Sequence, residues 1–325
     1  MVSCVHHRNL KVTETGKRDC KNWKIPVQFS CKEGDPLPIS QRWTVKQAEG
    51  FGSLLFYILS CPLELCCTIN PMTTRNRKQD PIGLFDSGLG GISVLHEVHK
   101  ELPAEDLIYF GDSANNPYGT KDKDTIRDLS DDICRQLIQA GCKAIVIACN
   151  TATSAAAPFL RRKYDIPIIG MEPALKVAVD QHTNKRIAVW ATDLTLKEKK
   201  FQDLMDKWGK DIPVTRVPCP QLVRLVEEDQ LEETDIVDDV LRHYMDQSDN
   251  PDAVVLGCTH FVFYRKRLQQ LFPEVTFIDG NQGTARHLGD VLADSLNDAG
   301  GRIEFRNSDP DKLTLSRKLY FRLED

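Results

Sequence analysis

The chain has 325 residues, of which 41% are hydrophobic, 27% charged and 7% aromatic, a composition that excludes collagen, coiled coil and wholesale disorder. Lys and Arg total 42 against 47 Asp and Glu, a net charge of −5. With no basic surplus, neither nucleic acid nor an anionic membrane is the expected partner.

The charge divides unevenly along the chain. Residues 1–71 carry 9 basic and 6 acidic side chains, and the remainder carries 33 and 41. The first segment has no sustained period of 2 or 3.6, so residues 1–79 read as a poorly ordered leader, with Met72 as the natural start. Its apolar stretch from Phe51 to Cys67 is interrupted by Pro62 and Glu64, too short for a spanning helix and a poor fit to a signal peptide. Six of the 11 cysteines fall here. The later five, Cys134, Cys142, Cys149, Cys219 and Cys258, are odd in number and widely spaced, which suits a reduced cytosolic enzyme rather than a disulfide framework.

From Asp80 the pattern is regular. Pro81–Phe85 predicts a short strand running into Asp86-Ser87-Gly88, and Gly90-Gly91 opens a helical stretch. Asp106–Phe110 predicts a second strand, followed by a loop with Asn116-Pro117-Tyr118-Gly119. Ile126, Leu129, Ile133 and Leu137 fall at helical spacing from Asp124, and Gly141 closes that helix. Ala144–Ala148 is a continuous apolar run, as expected of a strand buried on both faces of a parallel sheet. Alternating strands and helices predict an α/β fold.

The pattern then repeats. Ile187–Trp190 ends in Ala191-Thr192 as Ile82–Phe85 ends in Asp86-Ser87, and Ala253–Gly257 ends in Cys258-Thr259-His260 as Ala144–Ala148 ends in Cys149-Asn150-Thr151. The interval from Ser87 to Cys149 is 62 positions, and from Thr192 to Cys258 it is 66. Each cysteine is followed 17 positions later by another strand, Ile166–Gly170 or Val275–Asp279. Three matched strands in order predict two pseudo-symmetric parallel-sheet domains facing each other across a cleft. The expected boundaries are 81–174 plus 283–325 for the first and 175–282 for the second.

This arrangement sets one thiol on each side of the cleft. Cys149 and Cys258 stand where a strand hands over to a helix, whose N-terminus lowers a thiol pKa and binds carboxylate through free N–H groups. Ser87, Asn150, Thr151, Thr192 and Thr259 add short donors at the same edge. Two opposed thiols with carboxylate-binding hydroxyls suit cofactor-free racemisation: one thiolate removes an α-proton and the opposite thiol returns one to the other face. Most cysteines are simply small buried hydrophobes. This pair differs, because polar residues follow each at a strand end.

The blocks Ile82-Gly83-Leu84-Phe85-Asp86-Ser87-Gly88-Leu89-Gly90-Gly91, Pro117-Tyr118-Gly119, Ala148-Cys149-Asn150-Thr151-Ala152 and Leu256-Gly257-Cys258-Thr259-His260 resemble the signature blocks of bacterial glutamate racemases, in the aspartate/glutamate racemase superfamily. The resemblance runs from about Pro81 to the end. It implies a cytoplasmic, homodimeric enzyme without pyridoxal phosphate or metal that interconverts L-glutamate and D-glutamate and supplies D-glutamate for peptidoglycan. By this resemblance Cys149 deprotonates D-glutamate and Cys258 L-glutamate. Asp86 supports the first thiol, and Glu227 and His260 the second. Substrate contacts fall on Asp86, Ser87, Pro117, Tyr118, Gly119, Cys149, Asn150, Thr151, Thr192, Cys258, Thr259 and His260.

Four positions depart from the family pattern: Arg224 and Val262 replace usual prolines, and Glu198 and Phe201 stand where serine and tyrosine are commoner. None removes a proton carrier, but they bear on the local shape around the second thiol. Taken singly, Asp86 also fits a helix cap and Glu227, beside Glu228, a surface glutamate. His6-His7 and Cys66-Cys67 lack metal-ligand spacing. Gly88-Leu89-Gly90-Gly91 lacks the Lys-Ser/Thr of a phosphate loop and fits a tight turn against a bound amino acid. The alternatives are an aspartate racemase or another two-thiol racemase, and, from what is reported of some members, a protein-binding inhibitor of DNA gyrase.

Overall fold

The computed structural model describes residues 77–171, 186–197 and 213–324, a few positions between these spans, and four short strands before residue 59. Met72, Glu198, Phe201 and the leader's cysteines other than Cys4 lie outside the described residues. The chain divides into two compact units, Met1–Arg75 and Asn76–Asp325. In the first, Val2–Cys4 pairs antiparallel with Arg8–Leu10, and Val45–Gln47 pairs antiparallel with Phe56–Ile58. Strands of three residues are too short to imprint the period that the sequence lacks there.

The second unit holds two parallel sheets. One comprises β1 (Ile82–Asp86), β2 (Leu107–Gly111), β3 (Ala144–Ile147), β4 (Ile168–Gly170) and β9 (Ile303–Asn307), ordered β9-β2-β1-β3-β4. The other comprises β5 (Ile187–Ala191), β6 (Val214–Pro218), β7 (Ala253–Leu256) and β8 (Thr276–Ile278), ordered β6-β5-β7-β8. Every pairing in both sheets is parallel. Apart from β9, the second order repeats the first strand for strand. The α/β class and internal likeness expected from the sequence are therefore present.

The central strands are buried along their whole length, which explains their unalternating apolar runs. Between them run α1 (Ile92–Glu101), α2 (Lys123–Gln139) and α3 (Asn150–Lys163) in the first half. The second half contributes α4 (Asp193–Lys197), α5 (Pro220–Glu227), α6 (Thr234–Asp246) and α7 (Arg265–Leu271). The chain then returns through α8 (Asn281–Leu292), which packs on α1, to β9 at the edge of the first sheet, and ends in α9 (Leu313–Arg322). α2 begins as its sequence foretells: the Asp122 carboxylate accepts the Thr125 N–H at 2.9 Å. After its end Gly141 takes φ 92°, a left-handed turn that glycine adopts without strain. A continuous core joins both sheets, with Leu84, Tyr109, Trp190, Leu222, Val226 and Phe261 all buried in it.

Register decides which residues meet at the strand ends. Phe85 stands opposite Ile147, so two residues on Ser87 comes beside Cys149. Trp190 stands opposite Leu256, which brings Thr192 and Cys258 to the equivalent edge of the second sheet. A slip of one residue in either pairing would turn the thiol away from that edge.

At the other end of the first sheet lies a buried ion pair. Lys143 Nζ is 2.7 Å from Glu105 Oε2, and each side chain is 2% exposed. The ammonium also donates to the carbonyls of Lys78 at 2.9 Å and Ser295 at 2.8 Å, and Glu105 accepts the Asn297 N–H at 2.7 Å. This pair ties the entry to β1, the start of β3 and the segment after α8. Lys143→Met should therefore cost about 3–5 kcal/mol by chemical denaturation, because Glu105 would stay buried without its counter-charge. Adding Glu105→Leu should recover much of that loss.

Candidate active site

A cleft opens at the carboxyl ends of both sheets. The first half lines it with Ser87, Asn116, Pro117, Tyr118, Gly119, Cys149, Asn150 and Thr151, and the second with Thr192, Val223, Gly257, Cys258, Thr259 and His260. Eleven of the residues singled out from the sequence converge here. Asp86 and Glu227 do not line the cleft: they sit immediately behind it.

Cys149 is the N-cap of α3, and its Sγ accepts the Ala152 N–H at 3.4 Å and lies 3.6 Å from Ser87 Oγ. A helix N-terminus alone would lower this thiol's pKa. Instead burial, followed by the nearby Asp86 charge, pushes it up to about 12 against those two hydrogen bonds. At rest Cys149 is a protonated thiol.

The second thiol has different company. Cys258 Sγ is 3.6 Å from His260 Nδ1, and His260 Nε2 is 2.8 Å from Glu227 Oε1. Burial works against charge on His260, but its hydrogen bonds to Cys258 and Glu227 outweigh it and raise the imidazole pKa well above its ordinary value. The ring is buried between a sulfur and a carboxylate.

The two halves interlock around this triad. Glu227 Oε1 accepts the Leu89 N–H at 2.7 Å, across from the first half. Asp86, fully buried, accepts the Gly88 N–H at 2.9 Å and the Thr259 hydroxyl at 3.1 Å. Burial is the main reason its carboxyl pKa is raised, with His260 and the hydrogen bonds opposing. Both Asp86 oxygens are engaged by protein, and Asp86 is not among the residues that line the cleft. The glycine turn also faces protein rather than the open cleft. A Cβ on Gly88 would fall 2.0 Å from Glu227 Oε1, and one on Gly90 would fall 2.3 Å from His260 Nδ1. Those glycines permit the close approach of Glu227 and His260 from the second half.

The hydroxyls also meet across the cleft. Thr151 Oγ1 is 3.3 Å from Thr192 Oγ1 and 3.4 Å from Thr195 Oγ1. The Tyr118 hydroxyl, by contrast, donates to Asp112 at 2.6 Å, which leaves its backbone and ring for the cleft. Asn116, Thr195, Val223 and Gly257 are site residues that the sequence reasoning does not reach. Two have a readable signal: Asn116 precedes Pro117-Tyr118-Gly119, and Thr195 is one helical turn beyond Thr192. Of the departures from the family pattern, Arg224 is exposed, 4.0 Å from Glu228, and Val262 is half-buried. Among the described residues no group of three or more His, Cys, Asp and Glu is arranged to hold a metal ion, and no helix is long and apolar enough to cross a membrane.

Two like parallel sheets, with a cysteine at the end of each central strand and one shared cleft, define a two-sheet α/β protein with a site at its strand ends. A model of the Asp/Glu/Hydantoin racemase family matches residues 82–288, and the chain belongs to that family. It is a racemase. The glutamate racemase of Bifidobacterium longum is 53% identical over 257 residues, 74% of this chain and 97% of that protein. Among solved structures, a glutamate racemase from Bacillus anthracis superposes with a TM-score of 0.68 at 27% identity, covering 76% of this chain and 94% of that one. The glutamate racemase of Francisella tularensis, solved in complex with D-glutamate, gives a TM-score of 0.64 at 30% identity, covering 75% and 94%.

The raised His260 pKa has a signed consequence. The stability lent by Glu227 and Cys258 to the imidazolium is fully present below the ordinary histidine pKa and is lost as pH rises through the raised folded value. Glu227→Gln should therefore lower the thermal midpoint most in mildly acid buffer, with the deficit shrinking at alkaline pH. Melting curves of both proteins across that range check this.

Proposed function

We propose that the protein interconverts L- and D-glutamate by a cofactor-independent mechanism that uses Cys149 and Cys258 as opposed acid and base. The observation that carries this reading is one thiol at each wall of a shared cleft, each with its own hydrogen-bonded support. Glutamate as substrate is supported by its relatives, which are glutamate racemases, one of them solved with D-glutamate.

In the direction from L to D, the Cys258 thiolate takes the α-proton from one face of the substrate and becomes a thiol. The electron pair left at Cα is delocalised into the adjacent carboxyl group. Cys149, protonated at rest, then gives its proton to the opposite face and becomes the thiolate. Exchange of protons with solvent resets the pair, and the reverse direction exchanges the two roles. His260, held by Glu227, supplies positive charge beside Cys258 where the thiolate is required. Asp86 steadies the Gly88 turn and Thr259 between the two sulfurs. Ser87, Asn150, Thr151, Thr192 and Thr259, with the backbone at Pro117–Gly119, bind the carboxylates and ammonium of the substrate. In the cell the same reading makes this a cytoplasmic homodimer feeding D-glutamate to peptidoglycan, with 81–174 plus 283–325 and 175–282 as its two domains.

Cys149→Ala and Cys258→Ala should each abolish racemisation in both directions, measured by circular dichroism of each glutamate enantiomer. In deuterated water the inverted product of the native protein should carry solvent deuterium at Cα. Near-native turnover by either variant would sink the two-thiol mechanism, and turnover of aspartate but not glutamate would move the substrate to the shorter acid. All the proposed site residues follow position 80, so a chain beginning at Met72 should racemise at the rate of the full chain in reducing buffer. Loss of most activity on that truncation would show that the first segment contributes to the site.

A further inference from the structure

Asn116 stands in the loop after β2 and forms part of the cleft wall. Its side-chain amide Nδ2 lies 3.2 Å from the Ser87 carbonyl and 3.4 Å from Glu227 Oε1. Both partners are acceptors, and that fixes which end of the amide faces them. Ser87 is the neighbour of the Cys149 thiol, and Glu227 is the partner of the histidine beside Cys258. One side chain therefore touches the supports of both sulfurs. The space for it comes from Gly88, where an added Cβ would fall 2.6 Å from the same Nδ2.

We infer that Asn116 is a positioning residue of the reaction, strapping Glu227 to the Ser87 turn so that the two acid–base sides of the cleft stay aligned. The inference rests on the two-thiol reading above. The Leu89 N–H anchors Glu227 Oε1 from the turn, and the Asn116 amide braces the same oxygen from the neighbouring loop. The carboxylate is thereby aimed at His260 Nε2 and not free to swing into the cleft. The other ionisable groups that face it are His260, Asp86 and Tyr109, with the Lys312 ammonium on the Glu227 backbone carbonyl at 2.6 Å.

Two substitutions test this. Asn116→Leu keeps the bulk and removes the donor. It should lower kcat by about 10- to 100-fold with KM little changed, as expected for loss of alignment. Asn116→Asp is informative through pH. Protonated, the new carboxyl still donates to Glu227; ionised, it repels it, and the neighbouring carboxylate raises its pKa. Activity of that variant should therefore fall as pH rises through a limb that the native enzyme lacks. A second readout needs no turnover: the alkylation rate of Cys258 by iodoacetamide, followed by mass spectrometry of its peptide. For Asn116→Asp, the rate relative to native should be near one in mildly acid buffer and several-fold lower in mildly alkaline buffer.

Native kcat in Asn116→Leu would overturn the inference, as would a loss confined to KM, which would make Asn116 a substrate contact. So would Asn116→Asp without the new limb or the alkylation change. A native protein inactive on glutamate would instead overturn the proposed substrate, and Cys258 alkylation would still decide the role of Asn116. If Asn116→Leu fails to fold, the Asn116→Asp alkylation ratio alone decides between a strap and a bystander.

Discussion

Glu227 lies at the end of α5, in the helix layer of the second sheet, yet its carboxylate accepts a backbone N–H from Leu89 in the first half. That 2.7 Å bond fixes where the two sheets meet, because a nearly buried carboxylate leaves water only when its oxygens are satisfied. The imidazole of His260 fills the remaining direction, and the thiol of Cys258 follows from the histidine. The glycine turn belongs to the same constraint, since side chains at Gly88 or Gly90 would occupy the positions of Glu227 and His260. Ser93 adds a second stitch, its hydroxyl lying 2.9 Å from the Gly90 carbonyl and 3.0 Å from that of Thr259. The cleft is thus built at the contact of two sheets and belongs to neither alone.

The likeness of the halves ends at the strand tips, and the difference is chemical. Both central strands hand over to a cysteine, but the first is followed by Asn150-Thr151 and a full helix, the second by Thr259-His260 and a 3-10 turn running to Tyr264. A helix dipole and one hydroxyl do not offset the burial of Cys149 beside Asp86, so that sulfur holds its proton. Cys258 has the His260 imidazole within hydrogen-bonding reach. The internal repeat places a thiol at each central strand end, and the unequal neighbours give the two sulfurs different surroundings, which in the proposed mechanism suit Cys149 to be the resting acid and Cys258 the base.

Strands β1 to β5, β7 and β8, helices α1 and α2, and the gathering of Ser87 and Cys149 at one edge are legible in the sequence, because buried parallel strands advertise themselves as apolar runs; β6, β9 and the order of strands within each sheet are not. The shift of strand ends by a residue, Asp106–Phe110 against the observed Leu107–Gly111, reflects the fact that Gly111 completes a ladder with Asp86 and Asn307 that no local pattern encodes. At Cys149 the direction expected for the thiol pKa is reversed. A cap position is visible in one dimension, whereas burial and a carboxylate that approaches from β1 are not. Asn116 escapes the sequence for a similar reason: its partners are 29 and 111 positions away. The glycines announce a turn, but what they face lies more than 130 positions further along the chain.

The charge in the cleft poses a final constraint on the proposed substrate. Asp86 and Glu227 stand behind the wall with His260 facing them, and no lysine or arginine is among the described residues that line the cleft. In the proposed reading, recognition falls to neutral donors: the N–H groups at the start of α3 and of the turn after Cys258, and the hydroxyls of Ser87, Thr151, Thr192 and Thr259. Such donors orient a carboxylate without neutralising it. An arginine or lysine in their place would bind the substrate more strongly but would also draw Cys149 and Cys258 toward permanent thiolates, and a racemase needs each sulfur to hold a proton in turn. The abundance of small hydroxyl residues at both strand tips is therefore consistent with the two-thiol chemistry itself. In the proposed mechanism affinity then rests on uncharged groups, and the proton balance of the sulfurs on His260, Glu227 and Asp86.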